Sequence, residues 1–248
     1  MIDTVIQGDC LEVMPGIPDK SIDMILCDLP YGTTACKWDQ VIPFEPLWKE
    51  YKRLIKDHGA IVLTASQPFT SMLITSNLKW FRCEWIWQKS NGGGFLNANK
   101  YPLKRHENIL VFSGSLPLYY PQKTKGKPYS CRSSSAGETT QDQTVAGWIT
   151  DNSGDRFPTS VLIFSNETGL HPTQKPVALF EYLIKTYTNE GDLVLDNCIG
   201  SGTTAIAALN TGRHFIGIEK EPKYVEIARR RIAAIPKTLS HFAEKVTC

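Results

Sequence analysis

Leu193-Val194-Leu195-Asp196-Asn197-Cys198-Ile199-Gly200-Ser201-Gly202-Thr203-Thr204 decides how this chain folds. Three apolar residues read as a strand, an acid closes it, and two glycines precede a helix-forming run. Gly200 and Gly202 let the main chain bend sharply and approach a ligand, and the free N–H groups of a helix start favour negative charge. Downstream the pattern alternates: strand Asp192 to Leu195, loop, helix Thr203 to Asn210, strand His214 to Ile218, helix Pro222 to Ala234. That is a βαβα unit, and it predicts an α/β fold, a doubly wound and mostly parallel sheet with helices on both faces. Glu219 ends the second strand, 23 residues after Asp196, where an acid would take a ribose diol.

A second acid sits at a second strand end. Ile22-Asp23-Met24-Ile25-Leu26-Cys27 reads as a buried strand, and it stops at Asp28-Leu29-Pro30-Tyr31-Gly32. Asp28 and the Leu29 carbonyl can each accept a hydrogen bond, Pro30 fixes φ and removes a competing N–H, and Tyr31 offers a face for stacking. These features suit a nucleobase amino group, although a Pro-Tyr-Gly turn opened by Asp would look the same. Asp9 closes the short strand Thr4-Val5-Ile6 in a similar way, as a ligand contact or as an ordinary N-cap.

Between these landmarks the spacing predicts a helix over Phe44 to Ile55, a strand over Ala60 to Thr64 and a helix over Pro68 to Thr75. Strands are expected at Phe81 to Gln88, Glu107 to Phe112 and Ser160 to Phe164, and a helix from Val177 to Tyr187. Thr33 to Pro43 reads as a lid or substrate loop marked by Lys37, Trp38 and Asp39, and Asn91 to Gly94 as a flexible glycine run. Residues 113–160 lack a sustained period and are expected to form an irregular insertion. This divides the chain into a first half (1–112), the insertion (113–160), a second half of the same domain (161–235) and a tail (236–248).

With 42% apolar and 21% charged residues in 248, the chain can bury a full core. No apolar run approaches the roughly 18 residues that span a bilayer. Met1 to Thr4 has no leader character, so a cytoplasmic protein without a membrane partner is expected. Seven scattered cysteines, none in a C-x-x-C pair, argue against a zinc site or a disulfide framework. Cys27 and Cys198 read as small buried hydrophobes. Between Lys79 and Arg132 stand ten lysines and arginines against two glutamates, interleaved with Trp80, Trp85, Trp87, Tyr101, Tyr119, Tyr120 and Tyr129. That mixture favours a surface that tracks nucleic-acid phosphates.

The glycine loop also bears on the cofactor. Ala205 stands where the dinucleotide fingerprint G-x-G-x-x-G places its third glycine, and no G-K-[ST] follows. An acid opening the loop suits a ligand carrying an ammonium or sulfonium better than a pyrophosphate. This points to S-adenosylmethionine.

Asp28-Leu29-Pro30-Tyr31, His171-Pro172-Thr173-Gln174-Lys175-Pro176 and the loop from Asp196 to Thr204 together resemble the DNA amino-methyltransferases, in the β-type order with the catalytic tetrapeptide first. The resemblance implies that S-adenosylmethionine supplies a methyl group to N6 of adenine, or to N4 of cytosine, on a base flipped out of double-stranded DNA. It implies that Asp28 and Leu29 hold the amino group and that Tyr31 stacks on the base. It places Asp9 and Cys10 at the cofactor's adenine, Asp196, Gly200, Ser201, Gly202 and Thr203 at its methionine side, and Glu219 at its ribose. Lys175 and Pro176 fall in the motif closing over the cofactor, and the insertion falls where target recognition is expected. Leu29 departs from the commoner proline, which a main-chain role tolerates. Asp28 in place of serine favours adenine within the family. An NAD-dependent oxidoreductase shares the sheet and the acid after strand two, but leaves Asp28 to Tyr31 unexplained. RNA or a protein amide as target, and a DNA-binding protein with a dead site, also stay open. The small recognition segment makes a homodimer plausible.

Overall fold

Alternate side chains of one strand serve two cores. In β2 (Ile22–Asp28), Met24 and Leu26 join an apolar cluster on one face of the sheet, while Ile25 and Cys27 join a cluster on the other, all four with no solvent exposure. A strand segment buried on both faces must be apolar, which is why Met24 to Cys27 does not alternate with polar residues, while Asp23 and Asp28 fall at its less buried ends. The computed structural model describes residues 2–34, 36, 39–132, 149–167 and 174–235. Lys37, Trp38 and His171 to Thr173 lie outside them, as does the expected tail.

Among the described residues eight strands form the main sheet. From one edge they run β1 (Thr4–Gln7), β12 (His214–Glu219), β11 (Leu193–Asp196), β2, β3 (Ile55–Ala65), β5 (Lys104–Phe112), β4 (Phe81–Gly93) and β10 (Val161–Ile163). Only β5 is antiparallel to its neighbours, so the sheet is mostly parallel as expected. The helices α4 (Val177–Tyr187), α5 (Thr203–Asn210) and α6 (Pro222–Ala233) cover one face. The other is covered by α1 (Cys10–Val13), α2 (Phe44–Leu54) and α3 (Phe69–Ser76). In α2 the buried set Leu47, Trp48, Tyr51 and Leu54 follows helical spacing, so a single stripe meets the sheet.

The strand order reverses between β11 and β2. From β11 the chain steps outward to β12 on one side, and from β2 it steps to β3 on the other. In open α/β sheets the crevice at such a switch point, beyond the carboxyl ends of the strands, is where ligands bind. Asp196 and Asp28 are the last residues of these two adjacent strands.

Two sequence expectations change. The glycine run does not lie outside regular structure: β4 continues to Gly93 and pairs with Lys104, with a register shift between Gln88 and Gly93 that absorbs the small residues. The insertion is not irregular throughout either. Pro121–Thr159 forms a second, smaller unit in which β6 (Thr124–Lys125) pairs with β9 (Asp155–Arg156) and β7 (Tyr129–Arg132) with β8 (Ile149–Asn152). Within it the Arg156 guanidinium donates to the Asn152 Oδ1 at 2.7 Å and lies 4.7 Å from the Tyr129 ring centre. Gly154 is held at φ 105°, where an added Cβ would strike the Gly126 carbonyl.

Candidate active site

Both acid-bearing strand ends open into one cavity of about 590 Å³. Asp28, Leu29, Pro30 and Tyr31 line it from β2, and Asp196, Gly200, Ser201 and Thr203 line it from β11 and the glycine loop. Asp9, Cys10, Lys175 and Glu219 complete the sequence-derived set in its wall. Gly202 and Pro176 stand behind that wall. Gly202 sits at φ 89° as the N-cap of α5, where an added Cβ would come within 3.1 Å of the Ala228 Cβ. Pro176 is the residue from which α4 starts.

The Asp28 corner is a network of charges. Its Oδ1 accepts from the Tyr31 hydroxyl at 2.8 Å and from the Thr64 hydroxyl, and its Oδ2 accepts from the Lys175 Nζ at 2.6 Å. A carboxylate has about four lone-pair sites, so three donors leave one for a ligand. Tyr31 is partly buried with its ring stacked on Phe69, centres 5.2 Å apart, and burial followed by the Asp28 charge pushes its phenol up, so it acts as a neutral donor.

Lys175 is only 5% exposed and also meets Glu107 Oε2 at 3.3 Å, while Lys89 pairs with Glu107 Oε1. Burial would discharge Lys175, but Asp28 and Glu107 outweigh it and raise its pKa. Burial likewise pushes Glu107 up, and Lys175 and Lys89 outweigh it and hold its carboxyl below the usual range. Sequence reading put Lys175 beside the cofactor and gave Glu107 no role. The chain distance of 147 residues between Lys175 and Asp28 hides that contact from any local pattern.

Among the described residues the Asp196 corner has no such cation. Its Oδ1 accepts from the Cys198 N–H at 3.0 Å and its Oδ2 from the Thr204 hydroxyl. Burial pushes its carboxyl up to about 7 against the pull of those two donors. Glu219 accepts from Gly200 N–H and Glu221 N–H, each at 2.8 Å, and burial raises its carboxyl too. Gln174 Oε1, also in the cavity wall, is buried without a hydrogen-bond donor among the described residues. A buried acid and a half-buried one, both short of positive charge, together with an orphaned acceptor fit a cationic ligand with N–H and O–H groups.

Other residues fall into supporting places. Asp9 does N-cap α1, accepting from Leu11 N–H at 3.0 Å, and its other oxygen meets Lys220. Asp39 accepts from the N–H groups of Gly32, Thr33 and Thr34 at 2.7–2.9 Å, so it folds its own loop. Burial raises its carboxyl, but the Thr34 hydroxyl and these N–H groups hold it below the ordinary value. Cys27 is fully buried and pushed up to about 12 by burial, and the thiols of Cys10 and Cys198 are raised as well. None is an activated nucleophile. Trp85 and Trp87, read from the sequence among phosphate-tracking aromatics, are core residues 5% and 2% exposed, with indole N–H groups donating to Tyr187 and the Phe164 carbonyl.

The comparisons agree with this geometry. The family model described as DNA methylase, covering N6 and N4 enzymes, matches residues 22–230. The type II methyltransferase M.HinfI of Haemophilus influenzae is 29% identical over 269 aligned positions, covering 94% of this chain and 69% of that one. The crystal structure of an M1.HpyAVI–SAM complex superposes with a TM-score of 0.62 at 24% identity, covering 92% of this chain and 98% of that one. The cytosine-N4-specific PvuII DNA methyltransferase gives a TM-score of 0.67 at 17% identity, over 92% and 85%. Among the described residues no helix is long and apolar enough to cross a membrane. A match spanning most of the chain, on a sheet whose switch point joins both acid-bearing loops, makes this chain a member of the S-adenosylmethionine-dependent DNA amino-methyltransferase family.

Proposed function

We propose that the chain methylates N6 of adenine in double-stranded DNA, on a base turned out of the helix. The observation that carries this reading is the single cavity shared by Asp28 to Tyr31 and the loop from Asp196 to Thr203. Held by the loop from Asp196 to Thr203 and by Glu219, S-adenosylmethionine would supply an electrophilic methyl to the base nitrogen, its sulfur keeping the electron pair of the C–S bond.

An exocyclic amino nitrogen is a poor nucleophile because its lone pair is delocalised into the ring. The remaining acceptor site on Asp28 and the Leu29 carbonyl each take one N–H, which pyramidalises the nitrogen and localises that pair. The proton it sheds passes to Asp28 or to solvent. Pro30 fixes the backbone that presents the Leu29 carbonyl, and Tyr31 stacks on the base. On the donor side Asp196 faces the cationic methionine end, Gly200, Ser201, Gly202 and Thr203 shape the loop around it, Glu219 takes the ribose hydroxyls, and Asp9 and Cys10 flank the adenine. Holding nitrogen and methyl about 3–3.5 Å apart supplies much of the acceleration. Unpairing the base costs a few kcal/mol, met from binding.

Asp28 ahead of Leu29-Pro30 supports adenine over cytosine, where serine is the family alternative. Incubation with mixed-sequence duplex and methyl-labelled cofactor, then digestion to nucleosides, should put the label in N6-methyl-2′-deoxyadenosine. Label in N4-methyl-2′-deoxycytidine would move the assignment to the other branch, and no label in DNA would reject it.

A further inference from the structure

Strands β4 and β5 do not stop at the cavity. Lys89 and Glu107 line it, yet β4 runs on to Gly93 and β5 begins at Lys104, so a two-stranded arm continues past the carboxyl edge of the sheet. At about 3.3 Å per residue, Glu107 to Lys104 carries β5 about 10 Å beyond the cavity wall, and Gly93 pairs with Lys104 across the register shift that takes up Lys89 to Gly92. Gly94 at φ 93° then turns the chain into a short 3₁₀ segment, Phe95–Asn97.

The tip of this arm is apolar and in solvent. Leu96 is fully exposed, Phe95 and Tyr101 are each 70% exposed, and Leu103 is 39% exposed. Every residue from Gly93 to His106 is exposed. A concentrated exposed apolar patch on a projecting element marks a contact surface. The residues around it give the partner's charge: from Gln88 to His106 there are four lysines and arginines and no aspartate or glutamate. Lys100, Lys104 and Arg105 all lie in the exposed part of the arm.

We infer that the β4–β5 arm docks on duplex DNA, with Lys100 and Lys104 on phosphates and the Phe95-Leu96 tip wedged into the base stack beside the target. The inference rests on the DNA reading above and adds to it the element that opens the helix. Apolar side chains inserted between base steps are a known way to unstack a duplex, and basic side chains beside them hold the register. The opening left by a base that has entered the cavity needs an apolar filler next to that cavity, and the arm is rooted in the cavity wall.

The test compares the wild-type chain with a Phe95→Ser/Leu96→Ser variant in single-turnover methylation. One duplex carries a fully paired target, and a second carries the same target opposite an abasic site. The variant should lose about tenfold or more on the paired duplex and much less on the pre-opened one, since only the first demands unstacking. Its cofactor affinity by calorimetry should not change. Separately, Lys100→Ala/Lys104→Ala should weaken duplex binding and reduce the magnitude of its log–log salt slope by about two. Equal loss on both duplexes, or no loss on either, would overturn the wedge. A shift in sedimentation from dimer to monomer in the serine variant would assign the tip to a second copy of the chain instead. A wild-type chain that binds cofactor but methylates neither duplex would reject the DNA reading, and the wedge with it.

Discussion

Asp28 and Asp196 end neighbouring parallel strands and open into one cavity, yet the protein treats them in opposite ways. Asp28 faces a protein cation, Lys175, which is shared with Glu107 and backed by Lys89. Asp196 is more deeply buried, meets the Thr204 hydroxyl, the Cys198 N–H and the Cys27 thiol, and has its carboxyl pushed up to about 7 by burial. One corner is charge-balanced by the fold; under the proposed function the other is completed by the cofactor's positive charge. The contrast matches the two tasks, since an acceptor for a neutral amino group must be preset, while an acid awaiting a cation gains by having no competitor.

Removing Asp28 is the harshest way to break the comparison. Asp28→Ala should cut methyl transfer by about 10³-fold, the scale of losing a preorganised electrostatic contact, with cofactor affinity nearly unchanged. Calorimetry and single-turnover rates separate the two, and equal loss of both would make Asp28 structural. Lys175→Met comes next. It leaves Asp28 and Glu107 without their shared cation, so the chain should lose about 3–5 kcal/mol of stability, read by urea unfolding, and about 10²-fold in transfer rate. Unchanged stability would show that the Lys175 ion pairs contribute nothing net.

Asp196→Asn probes the other corner. It should weaken cofactor binding by about 10- to 100-fold, the cost of exchanging a charged partner for a neutral one. In the wild-type chain the raised Asp196 carboxyl favours the folded apo protein below the unfolded value of 3.8, and that contribution fades as pH rises through about 7. A cationic ligand reverses the preference, so cofactor affinity should climb as pH rises toward 7 and then level off, with proton release on binding. Asp196→Asn should flatten that profile. A wild-type affinity independent of pH between 5.5 and 8 would contradict the assignment. The mildest change is Tyr31→Phe, which keeps the ring on Phe69 and loses the hydroxyl bond to Asp28. It should cost a few-fold in rate, about 0.5–1.5 kcal/mol, and little in DNA affinity.

Strand ends and the glycine loop were legible because they are local. An apolar run closed by an acid sets a strand terminus wherever it lies, and α5 spans Thr203 to Asn210 as its spacing requires. What stayed hidden depends on contacts distant in sequence. Lys175 reaches Asp28 only after the sheet brings α4's entry over β2, and Glu107 looked like the start of an ordinary strand until β5 placed it under Lys175. Composition misled where burial decides meaning: Trp85 and Trp87 sit among basic residues in sequence but point into the core. Gly93 looked too weak to pair, yet the partner strand from Lys104 holds it in the ladder.

The account stands on the two corners serving one transfer, with the methyl group passing straight from donor to base inside one cavity. S-adenosylmethionine whose methyl is made chiral with hydrogen, deuterium and tritium tests this directly. A single displacement at carbon should deliver the methyl to DNA with inverted configuration. Retention would require an intermediate methylated on the protein, and would contradict a shared cavity working by direct transfer.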